Sequence, residues 1–332
     1  MKKDRPTRGK LYLKRSDIPQ PELIAIFMAP FLLKRIFHGV VVLWVVATLT
    51  FVLLRLTPGG PFDRERKLPP QVVANLEAKY HLDESFLKQY FRYLMGIVRG
   101  DLGPSYKYLD RGVNEIVRDT LPTSALLGAL AIAFALAASI PIGLFAAYRR
   151  GSWIDRLLMI SASIGISVPH FILGALLIWA LALQLNWFHA GRWDALSSAV
   201  LPTITLGAAP AAYLSALLRS SLIETLGEDF IRTARAKGIG ETGVLLKHAL
   251  SQSLIPMLTV MGPLAATLLT GSFVVEYVFA IPGMGRFFIT AVTDRDYPLI
   301  MGVTLIYTAL LVSANLIVDL LYGFVDPRIR SQ

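Results

Sequence analysis

Long uncharged stretches alternate with short polar segments along this chain. A membrane helix needs roughly 20 residues to cross a hydrocarbon core about 30 Å thick, and several stretches reach that length. Apolar and polar residues do not alternate within them as they would in barrel strands. The pattern predicts an all-α integral membrane protein with six transmembrane helices, which cover residues 36–54, 121–148, 157–185, 200–218, 256–275 and 297–318.

The polar segments divide the remainder of the chain. We expect a basic N-terminal segment, a membrane domain and a short tail, at residues 1–35, 36–325 and 326–332. Two longer polar segments interrupt the membrane domain, at residues 57–120 and 219–255. The first contains an apolar stripe at helical spacing over residues 86–98, which either packs onto the outer ends of the spans or binds a partner.

Composition and charge agree with a membrane protein. Hydrophobic residues make up 54% of the chain and charged residues only 17%, which is too apolar for a soluble domain of this length. The net charge of +10 is concentrated in segments that would share one side of the membrane, and residues 1–35 hold nine Lys or Arg against three acids. This distribution predicts a multi-pass protein with both termini and segment 219–255 in the cytoplasm, segment 57–120 outside, and no nucleic-acid partner.

The sequence contains no recognisable nucleotide-binding, metal-binding or catalytic motif. It has no Gly-x-x-x-x-Gly-Lys-[Ser/Thr] loop, so we expect ATP to be bound elsewhere. Its five histidines are scattered without ligand spacing, and it has no cysteine for a disulfide, a thiolate metal site or a nucleophile. We therefore predict a non-catalytic subunit with no catalytic, cofactor-binding or metal-binding residues.

An ion-coupled secondary transporter is the main alternative. Such carriers are also helical bundles, but they usually place ionisable groups deep in the membrane and contain related repeats. The predicted spans contain no Asp, Glu, Lys or Arg, and the chain shows no internal duplication. These features favour a transporter that is driven by a separate energy source.

A charged helix is predicted at residues 229–238. Asp229 lies at its start and Lys237 at its end, which suits the helix dipole, and Gly238 can adopt the left-handed conformation that ends a helix. Such a helix cannot lie in lipid, so we expect it to face a partner in water. The candidate contact residues are Asp229, Phe230, Arg232, Thr233, Ala234, Arg235, Ala236, Lys237 and Gly238.

Glu276 is the acid nearest the fifth predicted span. A carboxylate is costly there unless it is solvated or paired. It is either part of an external gate or pathway, or a carboxylate that snorkels or pairs with a neighbouring chain. The candidate gate or pathway residues are Glu276, Pro282, Gly283, Met284 and Pro169.

Several short motifs occur together in a specific order. They are Arg55-Leu56-Thr57-Pro58-Gly59-Gly60-Pro61-Phe62, Leu76-Glu77-Ala78-Lys79-Tyr80-His81-Leu82, Gly100-Asp101-Leu102-Gly103-Pro104-Ser105, Arg232-Thr233-Ala234-Arg235-Ala236-Lys237-Gly238, Ile281-Pro282-Gly283-Met284-Gly285, Arg295-Asp296-Tyr297 and Asp326-Pro327-Arg328-Ile329-Arg330. In this order they resemble the oligopeptide and dipeptide permease subunits of bacterial binding-protein-dependent ABC importers, most closely the oligopeptide type. The likeness covers residues 31–330.

The resemblance implies the type I ABC importer permease fold and a place in the bacterial inner membrane. It implies a second homologous permease subunit, two ABC ATPase subunits that use ATP and Mg, an extracytoplasmic peptide-binding protein and a peptide substrate. Residues 229–238 would form the coupling helix that docks into an ATPase during alternating access. Within this family, a dipeptide, nickel or another small substrate is the alternative to an oligopeptide.

Overall fold

The computed structural model describes residues 21–62, 70–108, 110–191, 193–269 and 272–325. These residues are mainly helical, and their only strand-like pairing is an isolated bridge between Pro104 and Gly112. The predicted tail and the first part of the predicted N-terminal segment lie outside the described residues.

The helices follow one another in the order α1 to α12. Their bounds are α1 Pro21–Leu56, α2 Pro70–Lys79, α3 Phe86–Arg99, α4 Val113–Tyr148, α5 Trp153–Ser167, α6 His170–Gln184, α7 Leu196–Thr225, α8 Asp229–Ala236, α9 Glu241–Leu269, α10 Phe273–Val278, α11 Met284–Asp294 and α12 Tyr297–Val325. Two of them contain π-helical stretches, Ile178–Gln184 in α6 and Val244–Ala249 in α9.

Five helices, α1, α4, α7, α9 and α12, are long and apolar enough to cross a membrane. The pair α5 and α6 would make a sixth crossing, but it bends by 108°. The predicted span over residues 157–185 is therefore divided between two helices. The helix breaks because Pro169 has no N–H to donate and its ring disfavours helical geometry at Val168, which is extended with φ −80° and ψ 121°.

The predicted fifth span, residues 256–275, also differs from the structure. Helix α9 begins much earlier, at Glu241, and ends at Leu269. The separate helix α10 then begins after Ser272, whose hydroxyl accepts the N–H of Val275 at 3.3 Å. Glu276 therefore lies on a short capped helix and not at the end of a span.

Helices α4 and α7 pack closely at the centre of the bundle. A Cβ on Gly207 would lie 2.8 Å from the Ala131 carbonyl oxygen, and one on Gly143 would lie 2.9 Å from that of Ser215. Both distances are too short for a side chain, so glycine is required for this approach. Helix α7 also contacts α5, α6 and α9, which makes it the central helix of the bundle.

The two ends of α7 belong to different buried clusters. At one end Leu201 packs in a cluster with Phe279, next to α10. At the other end Leu222 packs in a cluster with Ile231 of α8. Leu201 and Leu222 are about 30 Å apart at 1.5 Å per residue. We call these ends the cap end and the α8 end.

The segment between α1 and α4 forms a cap (57–62, 70–108 and 110–112) over the start of α12. The buried carboxylate of Asp296 accepts hydrogen bonds from the Ser105 hydroxyl and from the N–H of Tyr106, the latter at 3.1 Å. Next to it, the Tyr297 hydroxyl donates to the Gly59 carbonyl at 3.2 Å. The Arg295-Asp296-Tyr297 motif thus fastens two parts of the cap to α12. Helix α4 begins within the predicted external segment 57–120, at Val113.

Candidate functional site

Helix α8 forms where the charge pattern predicted it. Glu228 precedes its first turn in an extended conformation. At its other end the N–H of Gly238 donates to the Arg235 carbonyl at 2.9 Å, and Gly238 has φ +80°. The predicted left-handed glycine is confirmed, and the helix is a complete unit between α7 and α9.

One face of α8 holds the helix onto the membrane domain. Ile231 and Ala234 are buried, and they pack in a cluster with Leu218 and Leu222 of α7 and Val244 of α9. Ala234 was a candidate contact residue for a partner. Since its side chain faces this chain's own core, we assign it to the anchoring face instead.

The opposite face of α8 and the turn that follows are open. Phe230 is 44% exposed. Arg232 lies 3.5 Å from Asp229, and both side chains remain highly exposed. The exposed candidates are Asp229, Phe230, Arg232, Thr233, Arg235, Ala236, Lys237 and Gly238.

Arg235 is engaged within the chain. Its guanidinium donates to both carboxylate oxygens of Glu241, at 2.8 and 3.1 Å. This hydrogen bonding raises the pKa of Arg235 above its ordinary value. The pair ties the first turn of α9 back to α8, so Arg235 is not a free charge directed at a partner.

A buried ion pair near the α8 end could not be found from sequence spacing. The guanidinium of Arg219, in α7, donates to both carboxylate oxygens of Asp155 at 2.6 and 2.7 Å. Asp155 is 2% exposed and also accepts the N–H of Gly151 at 2.8 Å. The pair joins the first turn of α5 to the last part of α7, just before α8. The two residues are 64 positions apart, so only their opposite charges at span ends offered a signal.

At the cap end, Glu276 is fully buried. One of its carboxylate oxygens accepts the N–H of Gly285 at 2.7 Å, and beside it the Ser124 hydroxyl accepts the N–H of Met284 at 2.9 Å. We call Glu276, Ser124, Gly283, Met284 and Gly285 the Glu276 hub. Because the carboxylate points into its own chain, the structure excludes a snorkelling side chain.

The hub leaves no space for a side chain at Gly283. A Cβ on Gly283 would overlap the Glu276 carboxylate and would lie 2.7 Å from the Ser124 hydroxyl. Burial raises the pKa of Glu276, and the hydrogen bond from the Gly285 N–H acts in the opposite direction. The carboxylate therefore organises the turn between α10 and α11.

The other pathway candidates lie around the hub at different distances. Pro282 is exposed on the turn next to Gly283. Pro169 lies outside the hub, at the bend that begins α6. Helix α6 nevertheless approaches the region, because a Cβ on Gly174 would lie 3.1 Å from the Phe279 ring. Within the described ranges, no group of three His, Asp or Glu residues is placed to hold a metal ion.

Comparisons with known proteins identify relatives of this chain. Residues 139–331 match the family model "Binding-protein-dependent transport system inner membrane component", and residues 28–128 match the N-terminal model of the same group. A solved structure of an amino acid ABC transporter aligns with a TM-score of 0.48 and 17% identity, covering 63% of this chain and 93% of that chain.

Curated relatives match over nearly their full length. The dipeptide transport system permease protein DppB of Bacillus subtilis is 44% identical over 91% of this chain and 98% of its own. The oligopeptide transport system permease proteins OppB of Haemophilus influenzae and Escherichia coli K12 are each 41% identical over 91% of this chain and 100% of their own.

The resemblance inferred from the short motifs is confirmed, and so is the all-helical type I importer permease architecture. The matches run through the cap, the α8 segment and the Glu276 hub. This chain belongs to the family of binding-protein-dependent transport system inner membrane components.

Proposed function

We propose that this chain is the permease subunit of a bacterial ATP-driven oligopeptide importer and forms half of the translocation pathway with a second homologous subunit. The relatives are named as dipeptide and oligopeptide permeases, at 44% and 41% identity. The order of the cap motifs favours the oligopeptide type. Peptides are selected first by an extracytoplasmic binding protein that docks over the cap.

The observation that carries this proposal is the construction of α8. Two side chains, Ile231 and Ala234, attach the helix to α7 and α9, while its remaining face is open. Since α7 and α9 both cross the membrane, a push on α8 moves two spans together. Helix α8 is the coupling helix that docks into a partner ATPase.

The partners supply the energy. Two ABC ATPase subunits bind ATP and Mg beneath the pair of permeases, and their closure pushes on α8. This chain performs no covalent chemistry and binds no cofactor. ATP binding opens the pathway towards the binding protein, and hydrolysis returns it to the inward-facing state.

The orientation follows from the Lys and Arg distribution. The α8 end and both termini lie in the cytoplasm, and the cap lies outside the inner membrane. The Glu276 hub is then near the outer side, where the turn from Phe279 to Gly283 joins α10 to α11. We assign this turn to the gate of the pathway, with Glu276 holding it in place.

Crosslinking of α8 tests the central proposal. The chain has no cysteine, so a single introduced cysteine is the only one in the permease. Thr233→Cys faces outward, and Ile231→Cys is the matched inward control. We expect Thr233→Cys to crosslink to the ATPase subunit with a yield that changes on ATP binding, and Ile231→Cys not to do so. Equal yields at both positions, or none at Thr233, would contradict docking by this face.

Orientation and substrate need separate measurements. In intact cells, an impermeant maleimide should label Asp83→Cys but not Glu228→Cys, both of which are exposed positions. Labelling of Glu228→Cys from outside would reverse the proposed topology.

For the substrate, vesicles containing the whole complex should take up a labelled pentapeptide in competition with unlabelled oligopeptides. Competition by dipeptides alone would assign the chain to the dipeptide branch.

A further inference from the structure

Helix α3 has three distinct faces. Its first face packs on the rest of the chain. Its second face is apolar and open, with Leu87, Phe91, Met95 and Val98 exposed by 64%, 65%, 52% and 82%. Its third face is basic, with Lys88, Arg92 and Arg99 on one side of the helix. A fully solvated helix would not place such an apolar stripe in water.

The position of α3 places the open stripe beside a membrane span. The Tyr90 hydroxyl lies 2.8 Å from that of Thr48, and the Phe51 ring lies 5.3 Å from Phe86 and 5.7 Å from Tyr93. Thr48 and Phe51 belong to the apolar part of α1, Leu32–Leu56. Helix α3 therefore packs against the last turns of this span, where the cap meets the membrane domain.

Two cavities adjoin α3 on neighbouring sides. One has a volume of about 500 Å³ and is lined mainly by apolar side chains, including Leu43, Trp44, Ala47, Leu94, Ile97 and Ala309. The other has a volume of about 490 Å³ and is lined by His81 and by the charged residues Arg55, Lys79, Arg92, Arg99 and Asp101. Leu102 and residues of α3 line both cavities, so one elongated molecule could occupy them together.

The charges of the second cavity do not balance. Arg92 is paired with Glu84 at 2.5 Å, and Asp101 accepts the N–H of Gly103 at 2.9 Å to form a turn. Within the described part of the chain, Arg55 and Arg99 form no ion pair with a carboxylate. Arg99 follows directly on Ile97 and Val98, which line the apolar cavity. An anion at this boundary would compensate both guanidinium groups.

We propose that α3 and its two cavities form a binding site for an anionic phospholipid, with the phosphate among the cations and one acyl chain in the apolar cavity. The remaining apolar stripe of α3 faces neighbouring lipids. We assign this lipid to the outer leaflet because of the proposed orientation of the chain. The site itself rests on the geometry of α3 and does not depend on which substrate is transported.

Native mass spectrometry of the whole transporter complex tests the site. The complex is delipidated and then titrated with dioleoyl phosphatidylglycerol. We expect the double variant Arg55→Gln/Arg99→Gln to bind this lipid about 30-fold more weakly, since each basic residue near a lipid surface contributes roughly a fivefold change. The matched control is Arg118→Gln, an exposed arginine outside both cavities, and it should bind like the wild type.

A second variant separates the acyl chain from the headgroup. Ala309→Phe fills the apolar cavity without changing any charge, and we expect it to lower phosphatidylglycerol binding by about tenfold. Millimolar inorganic phosphate should not displace the lipid. Unchanged lipid binding in the double variant would overturn the proposal. Displacement by inorganic phosphate together with normal binding to Ala309→Phe would indicate a soluble-anion site. If the double variant binds the lipid normally but loses stimulation of its ATPase activity by the binding protein, the two arginines contact a protein instead.

Discussion

Helix α8 and the Glu276 hub place their polar groups in opposite directions. In α8 the inward residues are Ile231 and Ala234, and the charged side chains face outward. In the hub the inward group is the Glu276 carboxylate, which accepts the N–H of Gly285. One region is held by non-directional apolar contacts and the other by directional hydrogen bonds between buried groups.

The difference indicates how the two regions respond to change. Apolar packing tolerates small movements of a helix, whereas a buried polar group that loses its partner costs about 1 to 3 kcal/mol. We therefore expect substitutions in the hub to affect stability first, and substitutions in α8 to affect coupling while the fold persists. The following predictions test this contrast, from the largest expected effect to the smallest.

Gly283→Ala should have the largest effect. The added Cβ would overlap the Glu276 carboxylate and crowd Ser124, so the turn must move. We expect a loss of about 3 kcal/mol in the free energy of unfolding, within the range for overpacked cores. Thermal unfolding of the purified complex measures it. Gly112→Ala is the control, because its Cβ would meet Gly103 at an ordinary 3.9 Å. Equal stability of the two variants would remove the steric account of the hub.

Glu276→Gln should change the pH dependence of stability. Burial raises the pKa of Glu276 in the folded chain, so the folded state holds its proton over a pH range in which the unfolded chain has lost it. Wild-type stability should therefore fall as pH rises from the ordinary glutamate pKa through the raised one. The Gln variant should not show this fall.

The same variant tests the gate. Glutamine keeps an acceptor for the Gly285 N–H but cannot gain or lose a proton there, so the complex should assemble while peptide uptake into vesicles changes. Glu77→Gln, at an exposed glutamate of α2, is the control for both measurements. Unchanged uptake and basal ATPase activity in Glu276→Gln would limit Glu276 to a structural role.

Gly238→Val changes only the left-handed turn that ends α8. Gly238 has φ +80°, and no atom lies within 4 Å of the place that a Cβ would occupy, so the variant strains the backbone without a clash. The cost is on the order of 1 kcal/mol or more. We expect binding-protein-stimulated ATPase activity and uptake to fall together while the chain still inserts. Gly240→Val is the matched control, because Gly240 has equal space and a φ of −63°. Equal activity of the two variants would contradict a role for the left-handed conformation of Gly238 in coupling.

Arg235→Glu should have the smallest effect on the fold, because Arg235 and Glu241 are both exposed. The variant places two carboxylates together and should loosen the turn between α8 and α9, which lowers coupling. The swap Arg235→Glu/Glu241→Arg restores an ion pair and should restore stimulated ATPase activity. If the swap stays as impaired as the single variant, Arg235 contacts the ATPase directly and the internal pair is secondary.

Local physics explains which features could be predicted from the sequence. Spans follow from the length of uncharged stretches, and five of the predicted ones correspond to long apolar helices. Helix α8 and its left-handed Gly238 follow from charge placement and glycine geometry within ten residues. The position of a helix along the chain and the way it ends depend on neighbours in sequence.

Long-range packing decided the remaining features. The break at Pro169 follows from the local geometry of proline, but its 108° angle depends on how α6 packs against α7 and α10. The apolar stripe of α3 was predicted, but not which of its residues pack against α1 and which stay open.

By itself the sequence determined the helical membrane class, the family motifs and the α8 helix, because each is set by residues that are close along the chain. Only the tertiary structure decided that Glu276 points inward, that Asp155 meets Arg219 and that Ala234 anchors α8. The Ser124 hydroxyl and the Met284 N–H that support the hub are 160 positions apart. Contacts of this kind leave no local periodicity, since they arise only when separate helices pack against one another.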